Sequence, residues 1–184
     1  MVETGVIHGR FQVFHLKHME YVLAAKMRCR KLYIGITQPD DLYVKEGQYE
    51  HSAAYLFANP LTYLERYTMI KKAILDFGVS ADEFEIVPFP VERPEYILQY
   101  APKDAVFYMN IYDSWGEEKY ELFKSLGLEV DVLWRKEEHE KGLTATDVRM
   151  AIAKGQDWQQ MVPKTTYEYI VENQLDTRIR QLSY

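Results

Sequence analysis

His15 and His18 stand three residues apart in the stretch H-G-R-F-Q-V-F-H-L-K-H of residues 8–18. At that spacing they share one face of a helix's first turn. Arg10 and Lys17 belong to the same stretch. A helix N-terminus presents unpaired N–H groups and a partial positive charge, so cations are normally disfavoured there. Cations gathered at that pole make sense when an anion completes the site, and phosphate is the anion expected. Ordinary surface or core roles suit a lone histidine better than this pair behind Gly9-Arg10.

A second cluster follows in G-L-T-A-T-D-V-R, residues 142–149. Thr146 reads as a helix N-cap, and Asp147 suits the positive end of that helix. Arg149 falls in the first turn, against the dipole. The Thr144 and Thr146 hydroxyls, the free N–H groups and the Arg149 guanidinium would form a second phosphate cradle. The plainer alternative is a capped helix with a solvated arginine.

These clusters must be positioned by an alternation of strands and helices. Strand-like runs occur at Thr4–His8, Lys31–Ile36, Phe84–Pro88, Ala105–Met109 and Val130–Trp134. Helical spacing occupies Met19–Arg28, Leu61–Phe77, Glu95–Tyr100 and Glu117–Leu126, and helices Asp147–Lys154 and Lys164–Glu172 close the chain. Leu64, Tyr67, Met69, Ile70, Ile74 and Phe77 give Leu61–Phe77 a broad apolar face. The polar, tyrosine-rich stretch Leu42–Asn59 reads as an excursion, a lid or an oligomer contact. Alternating strands and helices imply an α/β fold, a doubly wound parallel sheet with right-handed crossovers. In such sheets ligands lie beyond the carboxyl ends of the strands, and both clusters directly follow strands.

The 184 residues fit one domain, 1–184, with a core over about 4–172. Acidic residues outnumber basic ones, 28 to 22, for a net charge of −6, which argues against a nucleic-acid partner. No apolar run reaches the roughly 20 residues of a membrane helix, and the N-terminus lacks a signal-peptide pattern. The single cysteine, Cys29, excludes an intramolecular disulfide and suits a reducing cytosol. A cytoplasmic protein without a membrane partner is expected, and one that forms a homo-oligomer. His8 reads as structural, His51 and His139 as solvated, Asp40-Asp41 as a turn, and Trp158 as packing between the terminal helices.

GRFQVFHLKH resembles the G-R-F-Q-P-[FV]-H-x-G-H signature of archaeal-type nicotinamide-mononucleotide adenylyltransferases, and TATDVR is similar to their S-G-T-E-[IV]-R. NPLTYLER (Asn59–Arg66) resembles N-P-F-T-x-x-E-R, and GQDWQQMVP (Gly155–Pro163) resembles G-E-x-W-x-x-L-V-P. The four matches keep the family's order and span nearly the whole chain. The resemblance implies a Rossmann-like fold and Mg²⁺-dependent attack of an acceptor phosphate on the α-phosphorus of ATP. It places Gly9, Arg10, Phe11, Gln12, His15, Lys17, His18, Thr144, Thr146 and Arg149 at the nucleotide, with His15, His18, Arg10 and Arg149 in the chemistry. It places Thr37, Tyr96 and Asn110 at the acceptor.

The chain departs from the pattern at Val13 for proline, at Lys17 for glycine, and through RPEYILQY (residues 93–100) and YMNIYDSW (residues 108–115) near the acceptor. Lys17 would add a phosphate ligand, alter base choice or block the site. The implied acceptor is nicotinamide or nicotinate mononucleotide. The alternatives are cytidylyl or adenylyl transfer from ATP or another nucleoside triphosphate to a different small phosphorylated metabolite, and nucleotide-binding regulation without turnover. A synthetase acting on tRNA lacks its second signature here. No protein metal site is expected, Mg²⁺ arriving with the triphosphate.

Overall fold

Five apolar runs become parallel strands in the computed structural model, which describes residues 1–40 and 52–183. They are β1 (Val2–Gly9), β2 (Cys29–Ile36), β3 (Phe84–Pro88), β4 (Val106–Ile111) and β5 (Glu129–Arg135). Their order in the sheet is β3-β2-β1-β4-β5, and every pairing is parallel. The chain winds outward from β1 to β3, then crosses back to β4. The seam between β1 and β4 is therefore the switch point where a doubly wound, Rossmann-like sheet opens a crevice.

Alternation along the strands feeds two cores, because successive side chains point to opposite faces. Ile7 of β1 and Tyr108 of β4 pack with Met19, Val22 and Ile74 of helices α1 (Leu16–Lys26) and α3 (Tyr63–Asp76). Val6, Phe107 and Met109 face the other way, toward Phe89, Ile97 and Phe123 of helix α4 (Ser114–Ser125). A third cluster joins Met69 of α3 to α5 (Ala145–Ala153), α6 (Lys164–Glu172) and α7 (Leu175–Leu182), through Val148, Ile152, Ile170 and Ile179. Trp158 is buried there with its ring 4.6 Å from Tyr167, the packing role expected of it.

Three expectations need correction. Helix α3 begins at Tyr63 rather than Leu61, because Thr62 and Glu65 form a reciprocal capping box. Leu64 and Phe77 lie off its buried stripe and are exposed, as is Met27 beyond α1. The chain closes on α7, which Gly, Pro and polar residues do not announce; the Arg178 guanidinium pins it by two bonds to Glu65, at 2.7 and 2.9 Å. The tail of the tyrosine-rich excursion forms the short helix α2 (Ala53–Ala58), while residues 41–51, with Asp41 and His51, lie outside the described residues. Among the described residues no helix is long and apolar enough to cross a membrane.

Candidate active site

Helix α1 starts with an unusual cap. The His15 imidazole accepts the His18 backbone N–H at Nδ1 (3.4 Å), and the His18 imidazole accepts the His15 N–H at Nδ1 (3.3 Å). This is the reciprocal logic of a capping box carried by two imidazoles. The rings stack with centroids 3.6 Å apart. Each Nδ1 is an acceptor, so each neutral ring carries its proton on Nε2. Burial pushes His15 down to about 4; Asp147 opposes that shift while Lys141 and Arg149 reinforce it. Burial, then His15 and Lys141, hold His18 well below the usual imidazole range. The pair is therefore neutral at pH 7 and offers hydrogen bonds rather than charge.

The turn that delivers these rings is tightly packed. A Cβ on Gly9 would come within 2.7 Å of the Phe11 ring, so only glycine admits that ring over the end of β1. Phe11 itself takes a left-handed φ of 54°. Buried Arg66 gathers the turn to its neighbours, donating to the carbonyls of Arg10 (3.0 Å), Thr37 (2.8 Å) and Gln38 (2.7 Å).

Helix α5 supplies the facing wall. Its N-cap is Thr144, not Thr146, because Asp147 at the third helical position returns a bond to the Thr144 N–H. Thr146 sits inside the first turn and accepts from Arg149 Nη2 at 3.1 Å. Arg149 is buried and donates Nη1 to the Gln12 carbonyl. Burial lowers it to about 10. It braces the first cluster from beneath rather than lining the cavity as expected.

Between the two helix starts lies a cavity of about 220 Å³. Arg10, Phe11, Gln12, His15, His18 and Thr146 contribute to its wall, together with Thr144 and Lys17. None of the described residues lining it is acidic. Lys17 sits at the rim, its ammonium 2.6 Å from Glu20, and its stem reaches toward Gly142, whose φ is 72°. It narrows the mouth without filling the cavity. Lys141 also lines it, with its ammonium over the Tyr112 ring at 5.6 Å. Sequence reading missed Lys141 because it ends a solvated-looking charged loop. Asn110 lines this cavity too, and its buried Oδ1 has no hydrogen-bond partner among the described residues.

Beyond Arg10, which belongs to both walls, a second cavity of about 580 Å³ opens over the ends of β1, β2 and β3. Gly9, which the resemblance placed at the nucleotide and which is absent from the lining of the first cavity, lines it with Thr37. So do Trp115 and Lys119 of α4, neither singled out in the sequence. His8 is stacked on Phe89 (5.0 Å) at its base. Tyr96 lines neither cavity; its ring lies under the Arg93 guanidinium, 5.2 Å away. His139 is exposed on a turn.

A profile of the cytidylyltransferase-like family matches residues 6–151. The chain is 43% identical over 177 residues to a phosphonoformate cytidylyltransferase of Streptomyces viridochromogenes, covering 96% of this chain and 95% of that one. It is 28% identical over 189 residues to a nicotinamide-nucleotide adenylyltransferase of Saccharolobus solfataricus, covering 98% and 97%. Among solved structures, the bifunctional NMN adenylyltransferase/ADP ribose pyrophosphatase of Francisella tularensis superposes with a TM-score of 0.66 at 18% identity. That match covers 98% of this chain and 53% of the other, so this chain spans about half its length. A Vibrio parahaemolyticus structure, a putative nicotinate-nucleotide adenylyltransferase, superposes with a TM-score of 0.61 at 15% identity, covering 96% of both chains. At these identities the structural matches speak to fold alone.

Proposed function

The chain belongs to the cytidylyltransferase-like family and is a nucleotidyltransferase, and from that premise we propose that it moves the cytidylyl group of CTP onto a small acceptor bearing a phosphonate or phosphate. The observation that carries the reading is the pair of cavities sharing Arg10. One is walled by two helix starts with no carboxylate among its described lining residues, which suits a triphosphate. The other is polar and opens beyond the carboxyl ends of β1, β2 and β3, which suits a separate acceptor.

In this reading an anionic oxygen of the acceptor attacks the α-phosphorus. The new bond is acceptor oxygen to phosphorus; the bond from that phosphorus to the bridging oxygen breaks, and pyrophosphate leaves. The nucleophile needs no base, so the protein's task is alignment and charge stabilisation. His15 Nε2–H and the free N–H groups opening α5 donate to triphosphate oxygens. Arg10, at the junction, meets the phosphorus under attack. Among the described residues no cluster of three His, Cys, Asp or Glu could hold a metal. In this reading Mg²⁺ would arrive with the triphosphate, as part of the substrate.

The choice of CTP and a phosphonate rests on the 43% identity to the phosphonoformate enzyme. Adenylyl transfer to nicotinamide or nicotinate mononucleotide is the second reading, favoured by the similarity to the archaeal adenylyltransferases. Against it, Tyr96, the residue placed nearest the nicotinamide by resemblance, stands outside both cavities. Pyrophosphate release measured for each nucleoside triphosphate with phosphonoformate, other phosphonates and the mononucleotides tests the choice. CTP with a phosphonate should turn over fastest; ATP with a mononucleotide in that place would reverse it.

A further inference from the structure

Lys119 is a cation that no carboxylate of the described residues meets at ion-pair distance. It projects from α4 into the second cavity, and among the described residues it makes no salt bridge. Its ammonium lies over the Trp115 ring, 5.6 Å from the centroid, an arrangement that aims the stem and restricts its wandering. Water access is limited: burial lowers its pKa, with Asp113 and Glu92 opposing and Lys141 reinforcing. Keeping a partly desolvated ammonium without a counter-ion costs stability unless a ligand supplies one.

The cavity's other charges narrow what that ligand can be. Arg10, shared with the nucleotide cavity, is the second cation of the wall. Glu92 and Glu118 are its carboxylates. His8, buried and beside Lys119, is held well below the usual imidazole range by its burial and by that ammonium, so it adds no charge. An anionic acceptor is repelled by the two glutamates and attracted only at the two cations. If the attacking phosphonate or phosphate meets the nucleotide at Arg10, Lys119 remains for a second anionic group.

We propose that Lys119 is a specificity residue that binds a carboxylate carried by the acceptor in addition to its reacting phosphorus group. The planar carboxylate accepts from the ammonium, a charge-assisted contact stronger than one to a neutral amide. The inference rests on the second cavity's being the acceptor site, and it extends the proposed function by naming what the acceptor must carry.

The test compares acceptor pairs that differ by the carboxylate: phosphonoformate against methylphosphonate, and nicotinate against nicotinamide mononucleotide. Lys119→Met keeps the stem and removes the charge, and its melting temperature shows whether it folds. With whichever pair the parent turns over, Lys119→Met should raise KM for the carboxylated member at least tenfold. KM for the nucleotide and for the uncarboxylated member should stay within twofold. Lys119→Arg should recover part of the preference. Equal losses for both members would make Lys119 merely structural, and unchanged kinetics would remove it from recognition. A parent that prefers the uncarboxylated member, or that binds neither carboxylated compound by calorimetry, overturns the inference as well. Turnover of nicotinate mononucleotide with ATP would sink the proposed cytidylyl function while leaving Lys119 supported, so the two can fail separately.

Discussion

The Gln12 side-chain amide and the Leu61 backbone hold each other by two buried hydrogen bonds, 2.9 Å from Nε2 to the carbonyl and 3.0 Å from the Leu61 N–H to Oε1. One amide thus ties the histidine-bearing turn to the segment that opens α3. Gln12→Ala would strand both backbone groups. Each orphan costs about 1–3 kcal/mol, so urea unfolding should show a loss of about 2–6 kcal/mol. A variant as stable as the parent would mean the turn is held by something else.

His18→Ala should lower turnover at least a hundredfold while the protein stays folded, since losing a preorganised donor typically costs about 10²–10³ in rate. The loss combines a missing ring in the cavity with a missing partner for the His15 N–H. Activity within threefold of the parent in a folded variant would exclude His18 from the chemistry.

Acid should destabilise the protein through His15. Its ordinary pKa of 6.5 falls to about 4 on folding, so the folded chain binds fewer protons than the unfolded one between those values. The contribution is intact above about pH 6.5 and is lost as pH falls toward 4, an effect on the order of 3 kcal/mol. Denaturation curves of the parent and His15→Asn, which keeps a cap acceptor, should converge across that window. Parallel pH profiles would assign the acid sensitivity to another group.

Arg149→Ala should destabilise the fold by about 1–3 kcal/mol, because the Gln12 carbonyl loses its donor. Weaker nucleotide binding should accompany that loss. In a double-mutant cycle with Gln12→Ala, the stability effects should fail to add by more than about 0.5 kcal/mol, as expected for one braced turn. Strict additivity, with nucleotide affinity alone reduced, would restore the direct phosphate contact that the sequence suggested.

Lys17→Gly should change turnover less than threefold, because the Lys17 ammonium is paired with Glu20 at the rim. Its stability cost, about 1 kcal/mol, is that of glycine near a helix start. A changed preference between CTP and ATP in steady-state kinetics would show that Lys17 reaches the base.

The strands and both clusters were readable because buried apolar runs and turn residues act locally. Phe84–Pro88 and Lys164–Glu172 have the limits expected from those signals. The bracing role of Arg149 was not legible because its spacing gives a helix position, whereas its partner, the Gln12 carbonyl, is 137 residues away. Lys119 and Lys141 were not singled out for the same reason. Only the crossing from β3 to β4 brings α4 beside the end of β1, and no local pattern records that.

Arg66 leaves a mechanical asymmetry. By clamping the Arg10, Thr37 and Gln38 carbonyls from a buried position, it welds the ends of β1 and β2 into one rigid body beneath both cavities. The exposed turn Glu138–Glu140, running through Lys141 to Gly142, has no comparable brace among the described residues. Among the described residues, that far wall is therefore the side with more freedom to yield to an incoming nucleotide, and the floor is the anvil beneath it.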